Sequence, residues 1–117
     1  MHRQVTLAAA ALLSASCAQA QSVKIVGIGA STCARFNAEI VATPSAERDY
    51  LAWAQGFMSG ALVRAPPGVD EGLDLAPADF PLGLQAEFLR DFCLKHEAGD
   101  FSDAVHALYR RLRGGGA

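Results

Sequence analysis

Tyr50-Leu51-Ala52-Trp53-Ala54-Gln55-Gly56-Phe57-Met58-Ser59-Gly60-Ala61-Leu62 is the stretch that decides the fold class. Its apolar residues Tyr50, Trp53, Ala54, Phe57, Met58, Ala61 and Leu62 advance by steps of three and one, which lines them along one face of an α-helix. Upstream, Thr43-Pro44 supplies an expected N-cap followed by proline at the first helical position, where its missing N–H costs nothing. Downstream, Ala65-Pro66-Pro67-Gly68 ends the helix after Arg64. Gly56 and Gly60 each cost about 1 kcal/mol of helix propensity relative to alanine. They are therefore expected where the first or third helix approaches closely, and an apolar face with glycines also suits a homodimer.

Working outward, Thr32 to Ala42 lacks Gly and Pro and spaces Cys33, Phe36 and Ile40 by three and four, giving a short first helix. From Leu82 to His96 the residues Gln85, Phe88, Leu89, Phe92, Cys93 and His96 return to helical spacing, and Ala98-Gly99 stops them. Asp100 and Ser102 are both suited to cap a last helix to Arg113, whose buried stripe is Phe101, Val105, Leu108 and Leu112. The stretch 65–81, with its prolines and acidic residues, reads as a long surface loop. The expectation is an all-α fold: a small four-helix domain over 32–113, an extended lead-in over 21–31 that allows a short strand at Val23–Val26, and a flexible tail over 114–117.

The N-terminus reads as a signal peptide over 1–20: Arg3 in a polar start, an apolar run from Val5 to Ala15, and Ala18-Gln19-Ala20 before the expected cleavage site. The apolar run is shorter than the roughly 20 residues a membrane-spanning helix needs, so no transmembrane anchor is expected after cleavage. Cys17 after Ser14-Ala15-Ser16 offers a lipoprotein alternative, with Ser14 standing where such sites carry leucine. A periplasmic or secreted protein results. Of the ten basic side chains nine remain once Arg3 is removed, against twelve acidic ones, so nothing marks a nucleic-acid or anionic-lipid partner.

Of three cysteines, removal of Cys17 leaves Cys33 and Cys93, an even pair in an oxidising compartment, expected to form a disulfide between the first and third helices. The alternatives are a zinc site of Cys33, Cys93 and His96, which lacks a fourth ligand, or a thiol paired with His96 or His106. Gly27-Ile28-Gly29-Ala30-Ser31-Thr32 superficially matches a dinucleotide-binding turn, but Thr32 replaces the third glycine and no βαβ unit follows; a flexible approach to the first helix is expected, and no cofactor. Asp70, Glu71, Asp74 and Asp79 have the oxygen chemistry of a calcium site without its spacing, so a solvated loop is expected. His96 suits a helix C-terminus and His106 a structural role. No nucleophile, base and oxyanion donor stand together, so binding rather than catalysis is expected.

Thr32-Cys33-Ala34-Arg35-Phe36, Trp53 to Gly60, Cys93, and Phe101-Ser102-Asp103-Ala104-Val105 together resemble the HdeA/HdeB acid-stress chaperones. Cys33, Phe36, Cys93, Phe101, Asp103 and Val105 carry that resemblance, while the proline-rich acidic loop and the Gly56–Gly60 segment depart from it. It implies a small periplasmic helical protein with one disulfide that protects unfolded clients in acid; loss of carboxylate charge at low pH would loosen the helices and expose Trp53, Phe57, Phe88 and Phe92 as an adhesive surface. Trp53 followed by Gly-Phe-x-x-Gly also looks like the Tai-type periplasmic immunity proteins, whose further cysteines this chain lacks. That second resemblance implies a toxin partner bound in the folded state; the loop 65–81 is the expected partner surface, because Pro66 and Pro67 restrict it and Asp70, Glu71, Asp74 and Asp79 are expected to be exposed.

Overall fold

The computed structural model describes residues 23–114. The expected signal peptide and Cys17, and the tail beyond Gly114, lie outside the described residues. Four α-helices follow one another: α1 Cys33–Ala42, α2 Ala46–Arg64, α3 Leu82–Lys95 and α4 Phe101–Arg113. The all-α architecture is as the periodicity predicts. A disulfide joins Cys33 to Cys93, with their Cα atoms 4.8 Å apart, so the first turn of α1 is tied to the last turn of α3.

The core forms where the predicted stripes converge. Tyr50, Ala54 and Met58 of α2, Leu89 and Cys93 of α3, and Phe101, Ala104, Val105, Leu108 and Leu112 of α4 are buried with Cys33 and Phe36 of α1. Phe36, Tyr50 and Phe101 form a triangle of rings with centroids 4.8 to 4.9 Å apart, so one aromatic side chain from each of three helices meets at a single point. Each such pair contributes about 0.5–1.5 kcal/mol beyond the area it buries.

Three local expectations need correction. Thr43 does not cap α2: it closes α1, donating its N–H to the Glu39 carbonyl at 2.8 Å, and α2 begins at Ala46. The reason is Pro44, which disfavours helical torsions in the residue before it and holds Thr43 at φ −139°, ψ 87°. Of the two suggested caps of α4 only Asp100 serves; its carboxylate and that of Asp103 bond reciprocally to backbone N–H groups as a capping box. Nor do residues 23–26 form a strand: among the described residues no segment pairs with them. The lead-in instead closes into a 3-10 turn, Ile28–Ala30, and Phe101 N–H donates to the Ser31 carbonyl at 2.8 Å while Cys33 N–H donates to that of Gly99 at 2.8 Å. The end of the lead-in, residues 28–31, is thus a packed part of the domain, while Val23 and Val26 are exposed.

Candidate functional site

The four aromatics expected to form one surface fall into two groups. Trp53 and Phe57, four residues apart on α2, stack with centroids 5.0 Å apart, and Trp53 meets the core at Phe101. Gly27 and Gly29 lie over the Trp53 indole, so the lead-in is its cover. The outer flank of Phe57 faces a groove of about 670 Å³, lined by Val23, Ile25, Asp103 and His106, whose imidazole meets Phe57 edge-on at 5.2 Å. Phe88 and Phe92 lie on α3 beside a second groove of about 310 Å³ with Lys95 and His96. His96 caps α3, its ring stacked on Phe92 at 4.2 Å and its Nδ1 2.8 Å from the Phe92 carbonyl oxygen. All four aromatics are partly buried at the margin of the core.

The stretch 65–81 is irregular, as expected, but it is anchored. The key residue is Gln85, which is fully buried on the apolar stripe of α3. Its amide donates to the carbonyls of Leu75 (2.8 Å) and Phe80 (3.0 Å), and its oxygen accepts from Gln55 of α2 at 2.6 Å. A polar residue on an apolar stripe was the signal for this network, because a buried amide is retained only where partners satisfy it. The second anchor is Asp70, expected to be a solvated member of the partner loop. Its carboxylate accepts from Tyr109 Oη at 2.8 Å and from Arg113 Nε at 2.6 Å, its side chain is only 12% exposed, and its backbone adopts φ 56°. Asp70 is therefore committed to α4, while Pro66, Pro67, Glu71, Asp74 and Asp79 remain exposed.

Gly56 and Gly60 also need correction. Both are exposed, and among the described residues a Cβ at either position would meet nothing within 4 Å, so neither admits a neighbouring helix of this domain. They fall on the α2 face opposite Tyr50, Ala54 and Met58, where the apolar stripe ends. Gly56→Ala and Gly60→Ala are accordingly expected to stabilise the protein by about 0.4–1 kcal/mol each. Chemical denaturation reads this directly, and a loss of stability at either position would restore the packing role.

Carboxylates stand at three seams of the fold. Glu39 of α1 accepts a short hydrogen bond from Tyr50 of α2 and a bond from Arg35 at 2.7 Å. Glu47 of α2 receives both its bonds from Arg90 of α3, at 2.6 and 2.7 Å. Asp70 joins the loop to α4 as described. The Tyr50 hydroxyl and then Arg35 hold the Glu39 carboxyl below its ordinary value. Burial, and then the Glu39 carboxylate, push the Tyr50 hydroxyl above its own.

Both cysteines expected to act structurally do so; bonded to each other, they present no thiol to a metal or to His96 or His106. Among the described residues no helix is long and apolar enough to cross a membrane. No protein-family model, curated protein or solved structure matches this chain.

Proposed function

We propose that this chain is an exported acid-stress chaperone of the HdeA/HdeB type, periplasmic after cleavage following Ala20. The observation that supports the reading is the division of labour among its cross-links. The α1–α2, α2–α3 and loop–α4 seams each use a carboxylate, whereas α1–α3 is joined by a covalent bond. Acid weakens the Glu39 link and leaves the covalent one.

A group whose folded-state pKa lies below its unfolded value stabilises the fold above the unfolded value, and that stability is lost as pH falls through the folded value. Glu39 is such a group, so its contribution is present at neutral pH and disappears below the ordinary carboxylate range of about 4. Tyr50, with its pKa raised, contributes on the other limb: its share is present below about pH 10 and is lost above it. At about pH 2 the carboxylates no longer offset the basic side chains, and self-repulsion adds to the loosening. Trp53 and Phe57 are then released from beneath the lead-in, while the disulfide confines the opening.

The test is tryptophan emission and far-UV circular dichroism of the oxidised protein from about pH 7 to about pH 2, with suppression of client aggregation measured at each end. Trp53 is the only tryptophan, so its emission reports on one site. A red shift with retained helicity and client protection confined to acid is expected. Unchanged client aggregation in acid would overturn the reading. In parallel, Glu39→Gln should flatten the loss of stability between about pH 5 and pH 2, and an unaltered acid profile would remove Glu39 from the mechanism. Gln21 as the N-terminal residue of the exported protein supports cleavage after Ala20, whereas lipid on Cys17 would make the protein membrane-tethered.

A second reading, folded-state binding of a toxin-like basic protein in the manner of an immunity protein, is favoured by the anchoring of the loop at Gln85 and Asp70. An ordered acidic loop loses little conformational entropy on binding. Charge reversal at Glu71 and Asp79 should abolish such a complex and leave helicity unchanged; Asp70 is unsuitable for the test because it holds the loop.

A further inference from the structure

The turn that covers Trp53 is tied to the helices at Ser31, which follows it directly. The Ser31 carbonyl accepts the Phe101 N–H of α4 at 2.8 Å, and the Ser31 N–H closes the turn on the Ile28 carbonyl at 3.1 Å. Its hydroxyl lies 3.3 Å from the Tyr50 hydroxyl of α2, which in turn bonds to Oε2 of Glu39 on α1. A phenol carries one proton. The ionised carboxylate is the stronger acceptor and takes it, so Ser31 is left to donate to the Tyr50 oxygen. Lead-in, α2 and α1 thus meet along one chain of hydrogen bonds that passes through a fully buried tyrosine. The other Glu39 oxygen, Oε1, accepts from Arg35 Nε at 2.7 Å within α1. Among the described residues Arg35 is the charged group beside Glu39 and Tyr50; the lead-in contributes the Ser31 hydroxyl and α4 the apolar Phe101 ring.

We propose that Ser31, Tyr50 and Glu39 form a latch through which the charge on one carboxylate holds the cover of Trp53 closed. With Glu39 ionised, the Tyr50 proton is fixed on Oε2 and the phenol oxygen presents its lone pairs to Ser31. Protonation reverses this order. A neutral carboxyl accepts only about half as strongly, and its own proton competes for the Tyr50 oxygen that Ser31 uses. Ser31 then loses its fixed acceptor. Two residues before it, Gly29 lies directly against the indole, so the cover loosens where it meets Trp53. The Tyr50 hydroxyl, more than Arg35, holds the Glu39 carboxyl below its ordinary range; the tie is complete above that range and is lost as pH falls through the lowered value. The next residue carries no titrating side chain: Thr32 Oγ1 accepts the Arg35 N–H at 3.1 Å, so the lead-in stays hinged on α1 when the latch opens. As the trigger of client binding the latch rests on the acid-chaperone reading; as a linkage within the fold it is measured without a client.

The experiment is native-state amide hydrogen exchange on the oxidised protein. Tyr50→Phe is the main variant, because it removes the hydroxyl and keeps the ring between Phe36 and Phe101. At about pH 6 the amides of Ala30, Ser31 and Phe101 are expected to exchange about five-fold faster or more than in the parent, measured against Leu108 within α4. Glu39→Gln should accelerate the same amides and, combined with Tyr50→Phe, add nothing further, since Glu39 acts through the phenol. Between about pH 6 and about pH 3.5, with rates corrected for intrinsic exchange, the parent should lose protection at these amides before Leu108, and Tyr50→Phe should show no such further loss. If Tyr50→Phe does not fold, Ser31→Ala decides the matter by the same readout. Parent-like exchange of the lead-in in the variant, an equal acceleration at Leu108, or additive effects of Tyr50→Phe and Glu39→Gln would each overturn the latch. Client protection in acid alongside any of those results would leave the chaperone reading standing, whereas a latch that behaves as expected without client protection would overturn that reading alone.

Discussion

Replacing both Cys33 and Cys93 by alanine is expected to lower the free energy of unfolding by about 4 kcal/mol, the largest effect of any change considered for this chain. The bond closes a segment of 60 residues, and the chain-entropy relation gives that figure for a loop of this length. Small domains have only about 5–15 kcal/mol in total, so the loss is a large fraction of their stability. Both sulfurs are fully buried, which makes the double variant a better probe than a reductant, since a reductant reaches the bond only after the fold opens. Guanidinium titrations of the oxidised protein and the double variant measure the difference. A change below about 1 kcal/mol would mean that the α1–α3 contact persists without the bond, and that packing of Phe36 and Leu89 holds the two helices together.

The same variant separates two consequences of acid. In the oxidised protein, loss of the Glu39 seam together with self-repulsion is expected to expose Trp53 while α1 and α3 stay joined. Without the bond nothing covalent links the helices, and helicity is expected to fall together with the shift in tryptophan emission. Coincident transitions in the double variant and separated ones in the parent would identify the disulfide as the element that keeps acid opening partial.

The helices and their buried faces were legible because each signal is local. The stripe Phe101, Val105, Leu108 and Leu112 lies within one helix, and the spacing of Tyr50, Ala54 and Met58 within another, so periodicity alone assigns the inward face. The disulfide was legible from parity, once residues 1–20 are read as a signal peptide that takes Cys17 with it. What remained hidden depends on contacts between distant segments. Gly56 and Gly60 lie on a helix and drew attention by their propensity cost, yet they are exposed; Gly29 lies outside any predicted helix and packs against the Trp53 ring. The distance from Gly29 to Trp53 along the chain carries no periodic trace. Asp70 looked like its acidic neighbours, because no local pattern shows that Tyr109 and Arg113 come to meet it. Gln85 was placed on the helical stripe, but the network it anchors was not read; a polar residue at a buried position of such a stripe was the available signal.

Gly29→Ala is expected to destabilise the protein by about 1–3 kcal/mol, through space alone. Gly27 holds φ +89°, a torsion that favours glycine, but Gly29 does not need one; its constraint is that a Cβ would fall 2.3 Å from three atoms of the Trp53 ring. The backbone at 29 is held by the neighbouring turn and by the Ser31–Phe101 hydrogen bond, so the indole is the part that yields. Its displacement breaks the stack on Phe57 and opens the cover of the candidate adhesive surface at neutral pH. The expected signature is red-shifted tryptophan emission at about pH 7 with the helical circular dichroism intact, while Gly56→Ala shows no such shift. Emission and stability equal to the parent's would show that the lead-in does not hold the indole. On the acid-chaperone reading the consequence goes further: a variant whose Trp53 is already uncovered should suppress client aggregation without acid. Uncovering without suppression would separate the two ideas, leaving the lead-in as a lid and removing Trp53 and Phe57 from the binding surface.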